Sequence, residues 1–258
     1  MQIIKLNLAT LQSWGQGEKI APPKLQEIEA ALERALTVLR AGALLVYPTE
    51  TVYGIGVDAE NPLAVAKLLT YKGRREGKPL SIAVANQKIA AKYVQINEQA
   101  QAFYDKFLPG PYTVISAAKG AVAPGVESEF GSLGVRIPDF PLILRLLEKF
   151  GKAITSTSAN ASGKKRPYAI ADLLDNLSQR QKQLIDLIID VGQLPPNEPS
   201  TVIDTTLSTP LTLRGMERIA GKKERPGQVF YSQDEEETMS LAGRLLLKHW
   251  STLEKKPL

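Results

Sequence analysis

The stretch that decides the fold is Pro48-Thr49-Glu50-Thr51-Val52-Tyr53-Gly54-Ile55-Gly56-Val57-Asp58-Ala59, which follows the apolar run Ala43-Leu44-Leu45-Val46-Tyr47. The apolar run predicts a buried strand. Proline then ends the strand, the glycines permit close backbone approach, and short polar side chains remain at the strand end. Ligands bind at strand ends in open α/β sheets. A plain loop also uses Gly, Thr and Pro, so this stretch alone leaves scaffold and binding site both open.

A second polar loop, Lys72 to Pro79, precedes a predicted strand at Leu80 to Val84 and carries four cations. In one interpretation Lys72 complements the end of a helix and the arginines are solvated. In the other the loop clamps phosphates, because Arg offers a planar fork and Lys a point charge. The loop by itself favours neither.

Two further segments place polar side chains beside predicted strands. The strand Leu133 to Pro138 carries Arg136, which needs a partner because an unpaired buried charge is costly. That partner is either a protein carboxylate or a substrate carboxylate. The run Ile154 to Gly163 is dense in hydroxyls and is followed by Lys164-Lys165-Arg166. Its Ser and Thr residues serve either as turn and cap residues or as donors to a ligand.

Strand patterns alternate with helical ones along most of the chain. Asn61-Pro62 is a typical helix start, while Gly42, Gly73 and Gly151 are helix stops. We therefore expect an α/β domain over residues 25–219. Residues 1–24 are expected to be an N-terminal lead-in, and residues 220–258 a charged linker with a tail helix.

Composition excludes several classes of chemistry. There is no cysteine and one histidine, His249, so disulfides, thiolate catalysis and multi-histidine metal sites are ruled out within one chain. The net charge of +5 is mildly basic and suits an anionic ligand. No signal-peptide pattern or membrane-length apolar run is visible, so we expect a soluble, cytoplasmic protein with no membrane contact.

Taken in order, the motifs resemble one family, the YrdC-like threonylcarbamoyl-AMP synthases, over about residues 25–219. Each motif alone is weak evidence for the family, whereas so many motifs in the family's order are strongly specific. They are Pro48 to Gly54, Lys72-Gly73-Arg74, Leu108 to Thr113, Val135 to Asp139, Ser158-Ala159-Asn160, Pro199 to Asp204, and Leu213-Arg214-Gly215.

The resemblance implies a twisted mixed β-sheet flanked by helices, with a concave basic face. It also implies an enzyme, L-threonylcarbamoyladenylate synthase. Such an enzyme forms threonylcarbamoyl-AMP and pyrophosphate from ATP, L-threonine and bicarbonate. A partner, the tRNA threonylcarbamoyl-transferase complex, then modifies tRNA. Mg²⁺ would accompany ATP, with no metal site in the protein itself.

The resemblance also assigns roles to individual residues. The catalytic residues would be Lys72 and Arg74, which neutralise phosphate charge. The ATP site would comprise Lys72, Arg74, Ser132, Ser158, Asn160 and Arg214. The threonine site would comprise Thr49, Arg136, Ser156 and Ser200, with Arg136 on the substrate carboxylate.

Two positions depart from the family pattern, since Ala83 and Phe140 stand where some members have histidine. These departures leave open an inactive paralogue on the same fold. Another alternative is a structured-RNA-binding protein that uses the same basic face, and weak RNA contact is a further partner that the charge allows. Few aromatic residues lie near the basic loops, which argues against a base-stacking platform.

Overall fold

The computed structural model describes residues 1–73, 79–161, 164–207 and 211–214, with Arg214 described by its backbone alone. All of these residues belong to one compact unit, Met1–Arg218. Arg74 lies outside the described residues, and so does the segment 220–258 that was expected to form a linker and tail helix.

The described residues form an alternating series of strands and helices. The strands are β1 Gln2–Lys5, β2 Leu44–Tyr47, β3 Gly54–Gly56, β4 Ser81–Ala83, β5 Tyr112–Ala117, β6 Ser132–Arg136, β7 Ile154–Ser158, β8 Ile185–Asp190, β9 Thr201–Asp204 and β10 Leu211–Arg214. The helices are α1 Leu8–Gly15, α2 Pro22–Arg40, α3 Pro62–Lys72, α4 Gln87–Ala90, α5 Glu98–Phe107, α6 Pro141–Phe150, α7 Ile170–Asp175 and α8 Gln179–Leu184.

Within the described ranges all strands join one mixed sheet in the order β1-β8-β2-β3-β7-β4-β6-β5-β9-β10. Strand β8 runs parallel to β1 and β2, β4 runs parallel to β6, and β5 runs parallel to β9. The other neighbouring pairs are antiparallel. The predicted mixed α/β fold is therefore confirmed. The basic character of its concave face stays a prediction.

Helices cover the apolar side chains of the sheet. Helix α2 packs on β2, β8 and α6, and helix α5 packs on β5. Strand β2 is buried at every position, as its unbroken apolar run predicts. The segment expected as a lead-in contributes β1, which extends the sheet beside β8, and helix α1, which packs on α6. No helix in the described part of the chain is long and apolar enough to cross a membrane.

The helix boundaries read from the sequence are confirmed at α3 and α6. The Asn61 side chain accepts hydrogen bonds from the first turn of α3, and Pro62 occupies the first helical position. Gly73 ends α3 with φ +56°, and Gly151 ends α6 with φ +73°. Both are left-handed conformations that glycine adopts without strain.

Close backbone approach explains the glycines of β3. A Cβ at Gly56 would lie 2.3 Å from the Thr155 carbonyl oxygen of β7, and a Cβ at Gly54 would lie 3.1 Å from the Tyr47 ring. At position 56 only glycine leaves room for the neighbouring carbonyl, and at position 54 glycine avoids a tight contact with the ring. The close approach predicted for these glycines is confirmed.

Candidate active site

The floor of the site is a row of small side chains across five adjacent strands. In the strand register Ser81 of β4 lies beside Gly134 of β6 and Ser156 of β7. Register partners point to the same face of a sheet. A Cβ at Gly134 would lie 2.7 Å from Ser81 Oγ and 2.9 Å from Thr113 Cγ2. The depression in this face therefore depends on glycine at position 134.

A cavity of about 330 Å³ opens above this floor. Its walls come from five strands, from the end of the first polar loop, and from the segments before β4 and β9. Most of its lining is polar, and hydroxyl-bearing side chains dominate. The lining residues are Thr51, Val52, Pro79, Ser81, Thr113, Arg136, Ser156, Thr157, Ser158, Arg166, Pro199, Ser200 and Val202.

Arg136 brings the buried positive charge to this cavity from the end of β6. Its Nη2 donates to Glu50 Oε1 at 2.6 Å, and the two side chains are 13% and 14% exposed. A protein carboxylate is thus the partner of Arg136, as one of the two sequence interpretations required. Arg136 Nε is buried and forms no hydrogen bond with any described residue. A guanidinium has five N–H donors, so Arg136 can bind a second acceptor while it keeps its bond to Glu50.

Glu50 faces away from the cavity, towards a smaller second cavity of about 220 Å³. Asp139 and Phe140 also line this second cavity. Burial raises the pKa of the Glu50 carboxyl, Arg136 lowers it, and the charge of Asp139 raises it. The net direction is upward because desolvation is the largest effect. The Glu50–Arg136 ion pair forms the wall between the two cavities.

Thr49 shapes the first polar loop instead of lining the main cavity. Its hydroxyl donates to the Val52 carbonyl at 2.6 Å and accepts from the backbone N–H groups of Thr51 and Val52. This compact turn is a local alternative to the sheet ladder. It directs Thr51 into the main cavity, while Thr49 borders the second cavity.

Tyr53 fixes the other end of the same loop. Its hydroxyl donates to the Gly192 carbonyl at 2.8 Å and accepts from the Val191 N–H at 2.9 Å. Burial raises the pKa of Tyr53. Because the ring is completely buried, these bonds hold the loop to the end of β8.

Lys72 joins the end of α3 to the polar segment after β7. Its Nζ donates to the Ser158 carbonyl at 2.8 Å and to the Asn160 carbonyl at 2.6 Å, and the residue is 4% exposed. The structure thus brings together the two halves of the predicted Lys72 and Ser158/Asn160 constellation. The ammonium is placed by backbone carbonyls directly behind Ser158, which lines the cavity.

The remaining residues predicted for ATP differ in position. Asn160 Nδ2 donates to the Lys164 carbonyl, and Asn160 Oδ1 is buried without a hydrogen-bond partner among the residues described. The Ser132 hydroxyl pairs with that of Ser128 at 2.8 Å and lies on the face of Arg136, four residues away along β6. Four residues of strand span about 13 Å. The side chains of Arg74 and Arg214 lie outside the part of the chain that the structure describes.

Three of the four residues predicted for threonine line the same cavity: Arg136, Ser156 and Ser200. Ser156 follows Thr155, whose carbonyl accepts a hydrogen bond from the Tyr47 hydroxyl at 3.5 Å, and burial raises the pKa of Tyr47. The fourth, Thr49, is the turn-forming residue already described.

The two departures from the family pattern fall beside the ion pair. Ala83 is the register partner of Arg136 and is 2% exposed. Phe140 is 6% exposed and lines the second cavity. A histidine at either position would place a titratable ring near the ion pair, whereas alanine and phenylalanine keep these positions apolar.

Sequence reasoning gave no role to five polar residues that line the cavity: Thr51, Ser81, Thr113, Thr157 and Arg166. The strand period of two identifies Ser81 and Thr113 once the register is known, because both face the same side as Arg136. Arg166 is exposed and makes no ion pair with a described residue. The sequence signal that could have identified Arg166 was its place in the basic run Lys164-Lys165-Arg166 after Gly163.

Residues 37–215 match the sequence model of the Sua5/YciO/YrdC family, described as "Telomere recombination". This match covers more than half of the chain. The chain belongs to the Sua5/YciO/YrdC family. The family recognised from the motifs in the sequence is therefore confirmed.

Family members of known name are similar over most of the described domain. A threonylcarbamoyl-AMP synthase of Vibrio campbellii is 36% identical over 179 residues, which cover 68% of this chain and 95% of that protein. The Bacillus subtilis threonylcarbamoyl-AMP synthase is 32% identical over 193 residues, which cover 74% of this chain and 55% of that protein.

A solved family member has the same fold. It is Pyrococcus abyssi Sua5 complexed with L-threonine, with a TM-score of 0.71 and 29% identity. The similarity covers 86% of this chain and 61% of that chain. This chain therefore spans little more than half the length of the longer family members.

Proposed function

We propose that this chain is a threonylcarbamoyl-AMP synthase that converts ATP, L-threonine and bicarbonate to threonylcarbamoyl-AMP and pyrophosphate. One observation carries the proposal. A mostly buried guanidinium, Arg136, ends a strand on the floor of a hydroxyl-lined cavity in a chain of this family. Guanidinium groups bind carboxylates strongly, often through two parallel hydrogen bonds.

The amino acid would occupy the part of the cavity around Arg136. Its carboxylate would take the donors that Arg136 does not use on Glu50, and Ser156 and Ser200 would surround its polar groups. At about 330 Å³ the cavity lies at the lower end of the ~300–1,000 Å³ typical of small-molecule sites. That size suits a small amino acid held beside part of a nucleotide.

The nucleotide would extend from this cavity towards Ser158 and Asn160. Lys72 and Arg74 would neutralise the phosphates, with Ser132 and Arg214 as further contacts. Arg166 would add a cation from the cavity wall. Lys72 supplies its charge from behind Ser158, because its bonds to backbone carbonyls fix the ammonium there.

The chemistry requires positioning and charge more than a reactive side chain. The amine of threonine adds to bicarbonate, water leaves, and a carbamate results. A carbamate oxygen then attacks the α-phosphorus of ATP as pyrophosphate departs. Cations placed where charge accumulates lower the barrier for such a transfer. A chain without cysteine, and with His249 as its one histidine, is compatible with this route.

Mg²⁺ would enter with ATP and neutralise charge on its phosphates. In the described part of the chain no three His, Cys, Asp or Glu residues gather as a metal site. The donors around the cavity are mainly hydroxyls, which suits an ion held by phosphate oxygens and water.

The product is a mixed anhydride, so a second enzyme must take the threonylcarbamoyl group. We propose that the tRNA threonylcarbamoyl-transferase complex does so, in keeping with the activity named for the relatives. Direct RNA contact by this chain remains a prediction from its charge.

Pyrophosphate release tests the proposed function. Native protein with ATP and Mg²⁺ should release pyrophosphate only when both threonine and bicarbonate are present. Release that needs neither substrate would indicate a different nucleotidase activity. No release under any condition, with threonine still bound, would indicate an inactive paralogue.

A further inference from the structure

The Glu50–Arg136 pair has a consequence for the amino-acid site, and that consequence rests on the proposed function. One guanidinium already carries one carboxylate at 2.6 Å, in a setting where both side chains are about six-sevenths buried. A threonine carboxylate at Arg136 would bring a second anion to the same group. Two carboxylates that share one buried cation do not both stay ionised without cost.

Two charged groups and one titratable neutral group face Glu50. Arg136 lies on β6, Asp139 follows in the segment before α6, and Tyr47 ends β2. The phenol of Tyr47 is neutral, since burial raises its pKa, so it does not compensate for a new anion. Asp139 adds negative charge on the side of the second cavity. Arg136 is therefore the one cation facing Glu50 in the described part of the chain.

Glu50 also has an oxygen ready to accept a proton. Oε1 receives the hydrogen bond of Arg136, whereas Oε2 is buried and has no hydrogen-bond partner among the described residues. Glu50 lines the second cavity, which shares no lining residue with the main cavity. A protonated Oε2 would leave the bond between Oε1 and Arg136 in place.

We infer that Glu50 is a positioning residue that takes up one proton when the amino-acid carboxylate binds Arg136. The protonated carboxyl continues to orient the guanidinium through Oε1 and no longer repels the substrate. The full positive charge of Arg136 then becomes available to threonine. Burial, which already raises the pKa of Glu50 in the free protein, makes this uptake easier.

Proton uptake by Glu50 sets the sign of the pH dependence of threonine binding. Substrate binding raises the pKa of Glu50 further, so a proton is taken up between the free and bound pKa values. In that window the Kd for threonine increases by up to about tenfold for each pH unit, because linkage couples the two equilibria. Below the free pKa, Glu50 is already protonated and the Kd is independent of this group.

Calorimetry on the native protein tests the inference without ATP. Threonine is titrated at several pH values in two buffers with different ionisation enthalpies. The expected result is an enthalpy that depends on the buffer and shows net proton uptake, with the Kd increasing as pH rises. Threonine binding with no proton uptake at any pH would overturn the inference and leave the proposed function intact. If no threonine binds at all, the proposed function itself fails.

A variant pair separates Glu50 from other titrating groups. Glu50→Gln keeps the shape and one acceptor oxygen and removes the titrating carboxylate, so the uptake should disappear. The amine of threonine titrates equally in both proteins and cancels in the comparison. Glu148→Gln makes the same change in an exposed pair with Arg145 on α6 and should retain the uptake. Unchanged uptake in Glu50→Gln would assign the proton to another group.

Discussion

The Glu50–Arg136 pair leads to a quantitative prediction about stability. Replacing Arg136 with Met would leave the Glu50 carboxylate buried without its cation. The side chains are 13% and 14% exposed, so solvent screens the loss only slightly. Breaking one partner of a buried pair costs about 3–5 kcal/mol in the free energy of unfolding. We expect about 3 kcal/mol for Arg136→Met at pH 8.

The double variant Glu50→Gln/Arg136→Met distinguishes this cause from general damage. Replacing both members of a buried pair with uncharged residues of similar size is often nearly neutral. The double variant should therefore recover at least about 2 kcal/mol relative to Arg136→Met. It should still fail to bind threonine, since the guanidinium is absent. Arg145→Met, in a half-exposed pair with Glu148, should cost less than about 1 kcal/mol.

The Arg136→Met loss should also depend on pH. Without Arg136 the folded-state pKa of Glu50 lies further above its unfolded value, which is about 4.3. At a pH below the pKa of the unfolded state, Glu50 is protonated in both states and the raised pKa does not affect stability. As the pH rises towards the pKa of the folded state, the loss of folding free energy grows. Urea denaturation at pH 5 and pH 8 should therefore show the smaller loss at pH 5. A loss below about 1 kcal/mol at both pH values, or a double variant no more stable than the single one, would refute this reasoning.

Three further substitutions test other parts of the site. Gly134→Ala should lower the free energy of unfolding by about 1–3 kcal/mol and raise the KM for threonine, because its Cβ would lie 2.7 Å from Ser81 Oγ. Unchanged stability and an unchanged KM would contradict the described floor of the cavity. Arg166→Ala should leave the melting temperature unchanged and raise the KM for ATP several-fold, an effect that high salt weakens; an unchanged KM would remove this residue from the site. Tyr53→Phe should cost about 1–3 kcal/mol in urea denaturation, because it leaves a buried N–H and a carbonyl without their partner; a neutral effect would show that the loop needs no such anchor.

Local signals in the sequence predicted most of the elements that carry the site. The apolar run before Pro48 gave β2, and Asn61-Pro62 with Gly73 gave both ends of α3. Strand β3 was not predicted as a strand, because Gly54 and Gly56 have low strand propensity. It forms through antiparallel pairing with β2 and β7, at a place where the β7 backbone and the Tyr47 ring leave little room for side chains.

The contacts within the site could be predicted only in part. Sequence reasoning required a carboxylate for Arg136, and the structure supplies Glu50 from a loop 86 residues earlier. That choice depends on where the chain folds back, which no local pattern encodes. Thr49 shows a different limit of sequence reasoning. Its position in the motif predicted a contact with the ligand, whereas its hydroxyl forms a hydrogen bond within its own turn. Register explains the rest, since Ser81 and Thr113 join the site only through their neighbours in the sheet.

Isotope incorporation tests the central claim most directly. Native protein is incubated with ATP, threonine and labelled bicarbonate, and the adenylate product is isolated by chromatography and identified by mass. We expect label in threonylcarbamoyl-AMP with the native protein. We expect no label with the Glu50→Gln/Arg136→Met variant, assayed under conditions in which both proteins are folded. Unlabelled adenylate from the native protein, or labelled product from a folded variant without Arg136, would contradict the account.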